Sequence, residues 1–485
     1  MNPSDMTVRG LIDALHNRQL SAAEVTEDCL QRIRHAEPAL HAFLACDEAL
    51  ARSHAAEADR MLQSGDAARL CGIPFAAKDN ICTTDFPTTC SSRMLEGYRS
   101  PFDAFALTRL KGAVCVGKTN MDEFAMGSST EHSAFGPTRN PYDIARVPGG
   151  SSGGSACAVA AGMVPFALGS DTGGSVRQPA AFCGVVGMRP TYGSISRRGL
   201  VAFASSLDQI GPITRNAADN ALILEALCAH DAQDATSVIH PRRDFSRLMA
   251  QPLNGLRISI VKEMMDVPMQ SAVREAVTSA VHLLEKLGAK IVTLSIPAVA
   301  DALPAYYIIS GAEASSNLAR YDGIRFGHRA ENCTTLEEVY LRSRSEGFGQ
   351  EVKRRILTGT HVLSAGYYQQ YYAKAQRVRS VLKYQLAEAF RTADVLISPT
   401  APETAFRLGE KQSPVSLYAG DIHTVPAAMA GIPALSIPCG KDSGGLPIGL
   451  QLMAPAFCEE LLYQAAYALE RETGTGADIC GEVRV

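Results

Sequence analysis

Apolar residues recur at helical spacing over residues 22–33 and again, in an alanine-rich stretch, over 49–62. Ser21 followed by Glu24 fits a capping box at the start of the first of these helices. Residues 1–70 are therefore expected to be an α-helical entry to the fold. From Gly72 the texture changes: short apolar runs at 73–77, 113–117 and 164–168 are separated by Gly, Ser and Thr turns. They alternate with helix-like stretches, which predicts a mixed α/β sheet.

Two β-rich runs at 257–261 and 290–296 flank a helical pattern at 271–287, a strand-helix-strand succession typical of α/β folds. The stretch 302–390 is different: rich in Tyr, Arg, Ala and Leu and nearly free of Pro, it reads as consecutive helices capping a site built by the sheet. Strand-like runs return at 394–398, 434–439 and 448–453, and a helix at 459–471 follows. No internal repeat or low-complexity tract points to a solenoid or an array. The expectation is one domain over 1–485, with a helical part at 1–70, a chemical core at 71–220 and a cap insertion at about 302–390.

Composition adds limits. Hydrophobic residues make up 46% of the 485 positions and charged residues 20%, the profile of a globular enzyme. A net charge of -4 supplies no basic field for gripping nucleic acid unaided, so any RNA contact needs a partner. The 13 cysteines run from Cys29 to Cys480 with no CxxC pair and an odd total, which speaks against a disulfide framework or a zinc cluster; they read as small core residues, and no metal is expected. MNPSDMTVRG lacks the features of a signal or transit peptide, and no apolar run reaches the roughly 20 residues that span a bilayer. The expected compartment is the cytoplasm, with no membrane contact.

The densest chemical signal lies between Pro148 and Ala180, in PGGSSGGSACAVAAG and LGSDTGGSVRQPA. Flexible turns are one reading. Phosphate binding is a second, but neither segment matches GxxxxGK[ST] or GxGxxG. A third is the GxSxG nucleophile elbow, satisfied by residues 149–153; it needs an acid and a later histidine, and neither His361 nor His423 stands in a supporting motif. The fourth joins Ser151 and Ser175 to Lys78, which directly follows the apolar run in GIPFAAKDN. A buried lysine loses its proton easily and can act as a general base.

Lys78-Asp79-Asn80, GGSSGGS and DTGGSVRQPA together resemble the amidase signature family. The resemblance implies an α/β/α sandwich with a large mixed sheet and a Ser-cisSer-Lys triad. By motif, Ser175 would be the nucleophile, Ser151 the bridging serine preceded by a cis peptide, and Lys78 the base. Neutral Lys78 would take the Ser151 proton while Ser151 takes that of Ser175. Holding Lys78 neutral near pH 7 requires roughly 4 kcal/mol of destabilisation of its charged form, which burial must supply. Asp79, next in an extended segment, would point to the opposite face. The N–H groups of Thr172, Gly173, Gly174 and Ser175 would form the oxyanion hole, and Arg177 would brace the loop through buried hydrogen bonds.

GKTNMDEFAMGSSTEHSAFGPTRNP at 117–141, RPTYGSISRRGLVAFASSLDQIGPITR at 189–215, EASSNLARYDGIRFGHR at 313–329 and GLPIGLQLMAP at 445–455 narrow the resemblance. They are similar to the glutamine-hydrolysing subunits of tRNA-dependent amidotransferases, over nearly the whole chain. This implies that glutamine is deamidated through a Ser175 acyl-enzyme, and that ammonia passes to a partner B subunit. There it would convert Glu on tRNA(Gln), or Asp on tRNA(Asn), to the amide. The B subunit would hold the ATP, Mg and tRNA sites, a small C subunit would wrap this chain, and the chain itself would need no cofactor. Arg355 would bind the substrate α-carboxylate, with Arg354 an open alternative, Asp421 would bind the α-ammonium, and Tyr306 would line the pocket. Cys157 and Met188-Arg189 depart from the family pattern without touching the relay. Two further readings stand beside this one: a stand-alone amidase with no need of Arg355 or Asp421, and a non-catalytic scaffold, against which the retained triad speaks.

Overall fold

The expected capping box is present: Glu24 N–H donates to the Ser21 hydroxyl at 3.1 Å and Ser21 N–H to the Glu24 carboxylate at 2.8 Å, opening the helix Ala22–Leu40. A second helix, Glu48–Ser64, follows. The computed structural model describes residues 2–239, 244–411 and 413–474. Its strands are β1 (Phe43–Cys46), β2 (Pro74–Lys78), β3 (Val114–Thr119), β4 (Phe166–Asp171), β5 (Val186–Arg189), β6 (Gln209–Thr214), β7 (Arg257–Val261), β8 (Lys290–Leu294), β9 (Val395–Pro399), β10 (Ala434–Lys441) and β11 (Pro447–Met453). They form one 11-stranded mixed sheet in the order β1-β3-β2-β4-β6-β5-β10-β11-β9-β7-β8. β2 runs parallel to both β3 and β4, and the expected strand-helix-strand unit is the parallel pair β7 and β8 with the helix Ser271–Lys286 between them in sequence.

Alternation along the strands shows what covers the sheet. Val395, Ile397, Leu435, Ile437, Leu450 and Leu452 enter one apolar cluster, which the helices Ala22–Leu40, Ser271–Lys286 and Glu459–Thr473 complete. Leu396, Ala434 and Met453 enter another, completed by Ala302–Asn317, Tyr372–Ala389 and Val425–Ala430. Neighbouring side chains on a strand point to opposite faces, so helices cover both and the architecture is an α/β/α sandwich. Of the helices in the 302–390 stretch, Ala302–Asn317, Gln350–Leu363 and Tyr372–Ala389 bring apolar residues to the second face, and Leu336–Gly347 lies beside them in sequence.

Three strands, β1, β5 and β6, are absent from the elements that the hydrophobic pattern predicts. β1 spans only four residues between two helices, and Gly211 and Pro212 inside β6 hide its strand character. β4 begins two residues later than its apolar run and ends three later, at Asp171, which delivers the chain to Thr172. Cys29, Cys71, Cys82, Cys90, Cys115, Cys157 and Cys183 are buried as expected of core residues, but Cys46 is exposed and Cys228, Cys333, Cys439 and Cys458 are partly exposed; Cys480 lies outside the described residues. Among the described residues no helix is long and apolar enough to cross a membrane.

Candidate active site

Lys78 ends β2, whose five residues are all buried between two parallel neighbours. Its Nζ lies 2.7 Å from Ser151 Oγ, 3.1 Å from the Ser170 carbonyl and 2.9 Å from Ser170 Oγ. The ammonium form donates to all three oxygens, whereas the neutral amine donates to two of them and receives the Ser151 hydroxyl on its lone pair. Burial lowers the Lys78 pKa to about 7, against the opposing pull of Asp122, Asp171 and Asp208. Asp79 does point away: its Oδ1 lies 3.3 Å from Lys118 Nζ, and its Oδ2 accepts from Thr89 N–H at 2.9 Å.

The Gly150–Ser151 peptide is cis. Gly150 N–H donates to Gln178 Oε1 at 2.9 Å, and Ser152 N–H donates to the Ser175 carbonyl at 3.0 Å, so the 150–152 turn runs beside the 172–175 segment. That segment joins β4 to the helix Arg177–Cys183, and Ser175 keeps 7% of its surface open. Among the described residues none accepts a hydrogen bond from the N–H groups of Thr172, Gly173, Gly174 or Ser175, which leaves several donors for an incoming oxygen. Glycine is required here. A Cβ on Gly173 would come 2.5 Å from the Tyr306 hydroxyl, and Gly174, at φ +145°, would collide with Thr424.

Asp171 holds the root of this segment. Arg177 donates to it through Nε and Nη2, each at 3.0 Å, while Arg189 Nη1 reaches its Oδ1 at 3.1 Å and also its carbonyl. Burial alone would raise the Asp171 carboxyl, but the two guanidiniums hold it well below the usual carboxylate range. Arg177 also donates to the Thr424 carbonyl at 2.8 Å and Gln451 Oε1 at 2.6 Å. Arg189 also donates to the Leu207 carbonyl at 2.6 Å and makes no hydrogen bond to Lys78, Ser151 or Ser175. Thr172 Oγ1 donates to Asp208 Oδ1 at 2.7 Å, and Asp208 also accepts from the N–H groups of Phe203 and Ala204. Neither Asp171 nor Asp208 stands among the sequence-derived candidates.

Tyr306, buried against Gly173, leads to a second cluster of side chains. The neighbouring Tyr307 donates its hydroxyl to Asp421 Oδ2 at 2.6 Å, and its ring stacks on Tyr418 at 4.1 Å. The Arg355 guanidinium sits 4.7 Å from both ring centroids. Its Nε donates to Glu351 Oε1 at 2.7 Å, an oxygen that also accepts from the Tyr418 hydroxyl. Arg355 has 7% of its side chain exposed and Arg354 47%, so of the two only Arg355 faces the tyrosines. Burial raises the Asp421 pKa to about 7, although the Tyr307 hydroxyl and Arg355 pull it down. Tyr307, Glu351 and Tyr418 are missing from the sequence-derived set; the four-residue spacing of Glu351 and Arg355 on one helix was the available signal.

Neither histidine serves the serines. His423 is buried, with Nε2 2.9 Å from the Met264 carbonyl, and exposed His361 packs on the Tyr367 ring at 4.3 Å. The nucleophile-elbow reading therefore fails for want of a base.

The family model described as Amidase matches residues 24–463. The chain is 53% identical to the A subunit of glutamyl-tRNA(Gln) amidotransferase from Caldanaerobacter subterraneus subsp. tengcongensis over 469 residues, 96% of each chain. It superposes on the crystal structure of the A subunit of glutamyl-tRNA(Gln) amidotransferase from Thermotoga maritima with a TM-score of 0.83 at 41% identity, covering 100% of this chain and 99% of that one. The native peptide amidase of Stenotrophomonas maltophilia follows the same fold at 31% identity and a TM-score of 0.82, covering 97% of each chain. By a match that runs almost from end to end in sequence and in fold, the chain belongs to the amidase family.

Proposed function

We propose that this chain is the glutamine-hydrolysing subunit of a tRNA-dependent amidotransferase. The observation that carries the chemistry is the 2.7 Å approach of Lys78 Nζ to Ser151 Oγ in a site with no water-exposed lysine surface. Neutral Lys78 takes the Ser151 proton, Ser151 takes the Ser175 proton, and Ser175 Oγ attacks the carboxamide carbon. The N–H groups at 172–175 stabilise the oxyanion. Collapse breaks the C–N bond, ammonia leaves with the proton returned through Ser151, and water then cleaves the ester to glutamate.

Glutamine is favoured over a plain amide by the second cluster. Arg355, with its Nε held by Glu351, turns its remaining N–H groups to the α-carboxylate, and Asp421 meets the α-ammonium. Tyr306 lines the space between these charges and Gly173. The ammonia goes to a partner B subunit that holds ATP, Mg and tRNA, and a small C subunit completes a heterotrimer in the cytoplasm. The whole chain works as one amidase unit with the 302–390 helices as its cap.

The test is ammonia release from glutamine by the purified chain and by Ser175→Ala, alone and with the B and C partners, charged tRNA and ATP. Release that depends on Ser175 and rises with the partners supports the proposal. Partner-independent hydrolysis of other amides, with glutamine ignored, replaces it with a stand-alone amidase.

A further inference from the structure

The 122–124 turn touches both ends of the site. On one side Asp122 N–H donates to the Ser151 carbonyl at 3.3 Å, and the Asp122 carboxylate gathers the N–H groups of Ser129, Thr130 and His132. On the other side the next two residues meet the start of the helix that carries Glu351 and Arg355. Gly349, the residue before that helix, donates its N–H to both Glu123 oxygens, at 2.8 and 3.1 Å. The Phe124 ring meets Phe348 edge-on at 5.6 Å. Glu123 is 3% exposed and is also bonded by the Ser92 hydroxyl.

Phe124 adopts φ 49°, ψ 31° and Ala125 follows at φ 62°, a left-handed backbone that side chains other than glycine rarely take. Such a conformation persists where the surroundings over-determine it, and it aims Glu123 and Phe124 together at residues 348–349. Burial raises the Glu123 pKa to about 7, against the Ser92 hydroxyl and the Gly349 N–H, which both favour its ionised form. The contact is close enough that a Cβ on Gly349 would collide with the Glu123 carboxylate.

We propose that this turn is a strut fixing the span between the Ser151–Ser175 end and Arg355, with Glu123 the positioning residue that sets it. The inference rests on the reading of Arg355 as the α-carboxylate ligand. A fixed span selects side-chain length, so Glu123 acts on the preference for glutamine over asparagine, which is one methylene shorter.

The experiment compares the full-length chain with Glu123→Ala, Gly349→Ala and the double variant in glutamine and asparagine hydrolysis. Modification of Ser175 by a small sulfonyl fluoride is timed in parallel, since that reagent uses the nucleophile and not the Arg355 end. Either single substitution raises KM for glutamine about tenfold, changes kcat by less than about threefold and lowers the glutamine-to-asparagine ratio of kcat/KM. The double variant is no worse than the worse single, because both cut one contact. Glu123→Gln, which keeps an acceptor for Gly349, recovers most of the KM, and sulfonylation proceeds at the wild-type rate in all. Unchanged KM in both single variants overturns the proposal, as does sulfonylation that slows in step with glutamine hydrolysis. A wild-type chain that is sulfonylated yet ignores glutamine both alone and with the B and C partners, charged tRNA and ATP overturns the glutaminase reading itself, and the strut falls with it.

Discussion

Asp79, the residue after Lys78, forms a buried pair with Lys118, Oδ1 to Nζ 3.3 Å. The pair keeps a carboxylate that adjoins the base in sequence occupied elsewhere. Removing one partner of a buried pair strands the other charge at a cost of roughly 3 to 5 kcal/mol. Lys118→Met should therefore lower the thermal midpoint sharply, and adding Asp79→Asn should recover most of the loss, as thermal denaturation of both variants would record.

The Lys78 pKa of about 7 lies below its ordinary 10.5, so between those values the unfolded chain binds a proton that the folded chain does not. Stability then rises with pH across that window, and the cost of the buried charge is fully present below it. Lys78→Met should abolish hydrolysis and flatten this rise, with a midpoint at pH 7 no lower than that of the wild type. In the wild type kcat/KM should climb through about pH 7 as the base form accumulates. A stability profile with the same slope in both proteins would count against a depressed Lys78.

Asp421 predicts a pH effect of a different kind. Its carboxyl, raised by burial to about 7, must be ionised to hold an ammonium, so KM for glutamine should increase as pH falls below that value. Asp421→Asn should raise KM above about pH 7, converge with the wild type as pH falls below that value, and remove this dependence. Initial-rate kinetics from pH 5.5 to 8.5, roughly the range over which a group of this pKa titrates, would separate it from the effect of Lys78 on kcat.

The two adjacent arginines should behave unlike each other. Arg355→Lys keeps the charge but loses the planar fork and the packing on Tyr307 and Tyr418, and should raise KM for glutamine by about tenfold or more. Arg354→Lys, at a half-exposed position, should change KM by less than about twofold. Equal effects of the two substitutions would contradict the placement of the carboxylate.

How much of this was legible in the sequence depends on where the chemistry is concentrated. The glycine and serine runs around Ser151 and Ser175 have few structural uses, and a lysine at the end of an apolar strand is conspicuous, so their meeting at β2 and β4 could be anticipated. The supporting residues are of common types, and their partners are distant: Tyr418 and Glu351 are 67 positions apart, and Tyr307 and Asp421 114. Nothing local marks such contacts. The ambiguity between Arg354 and Arg355 was of the same sort, because only the packed helix determines which face is buried. Glu123 and Gly349, 226 positions apart, show the limit most plainly, since each residue reads alone as an ordinary loop position.

Arg177 reaches across 247 positions to the Thr424 carbonyl and 274 to Gln451, and the Thr424 hydroxyl donates to the Gly173 carbonyl at 2.6 Å. A chain still emerging from the ribosome thus carries Lys78, Ser151 and Ser175 long before it carries the groups that shape the loop around the nucleophile. A protein truncated before Thr424 would display every residue of the relay and still lack the two contacts through which that residue braces Arg177 and the Gly173 carbonyl, so prematurely terminated copies would hold the relay beside an unbraced loop.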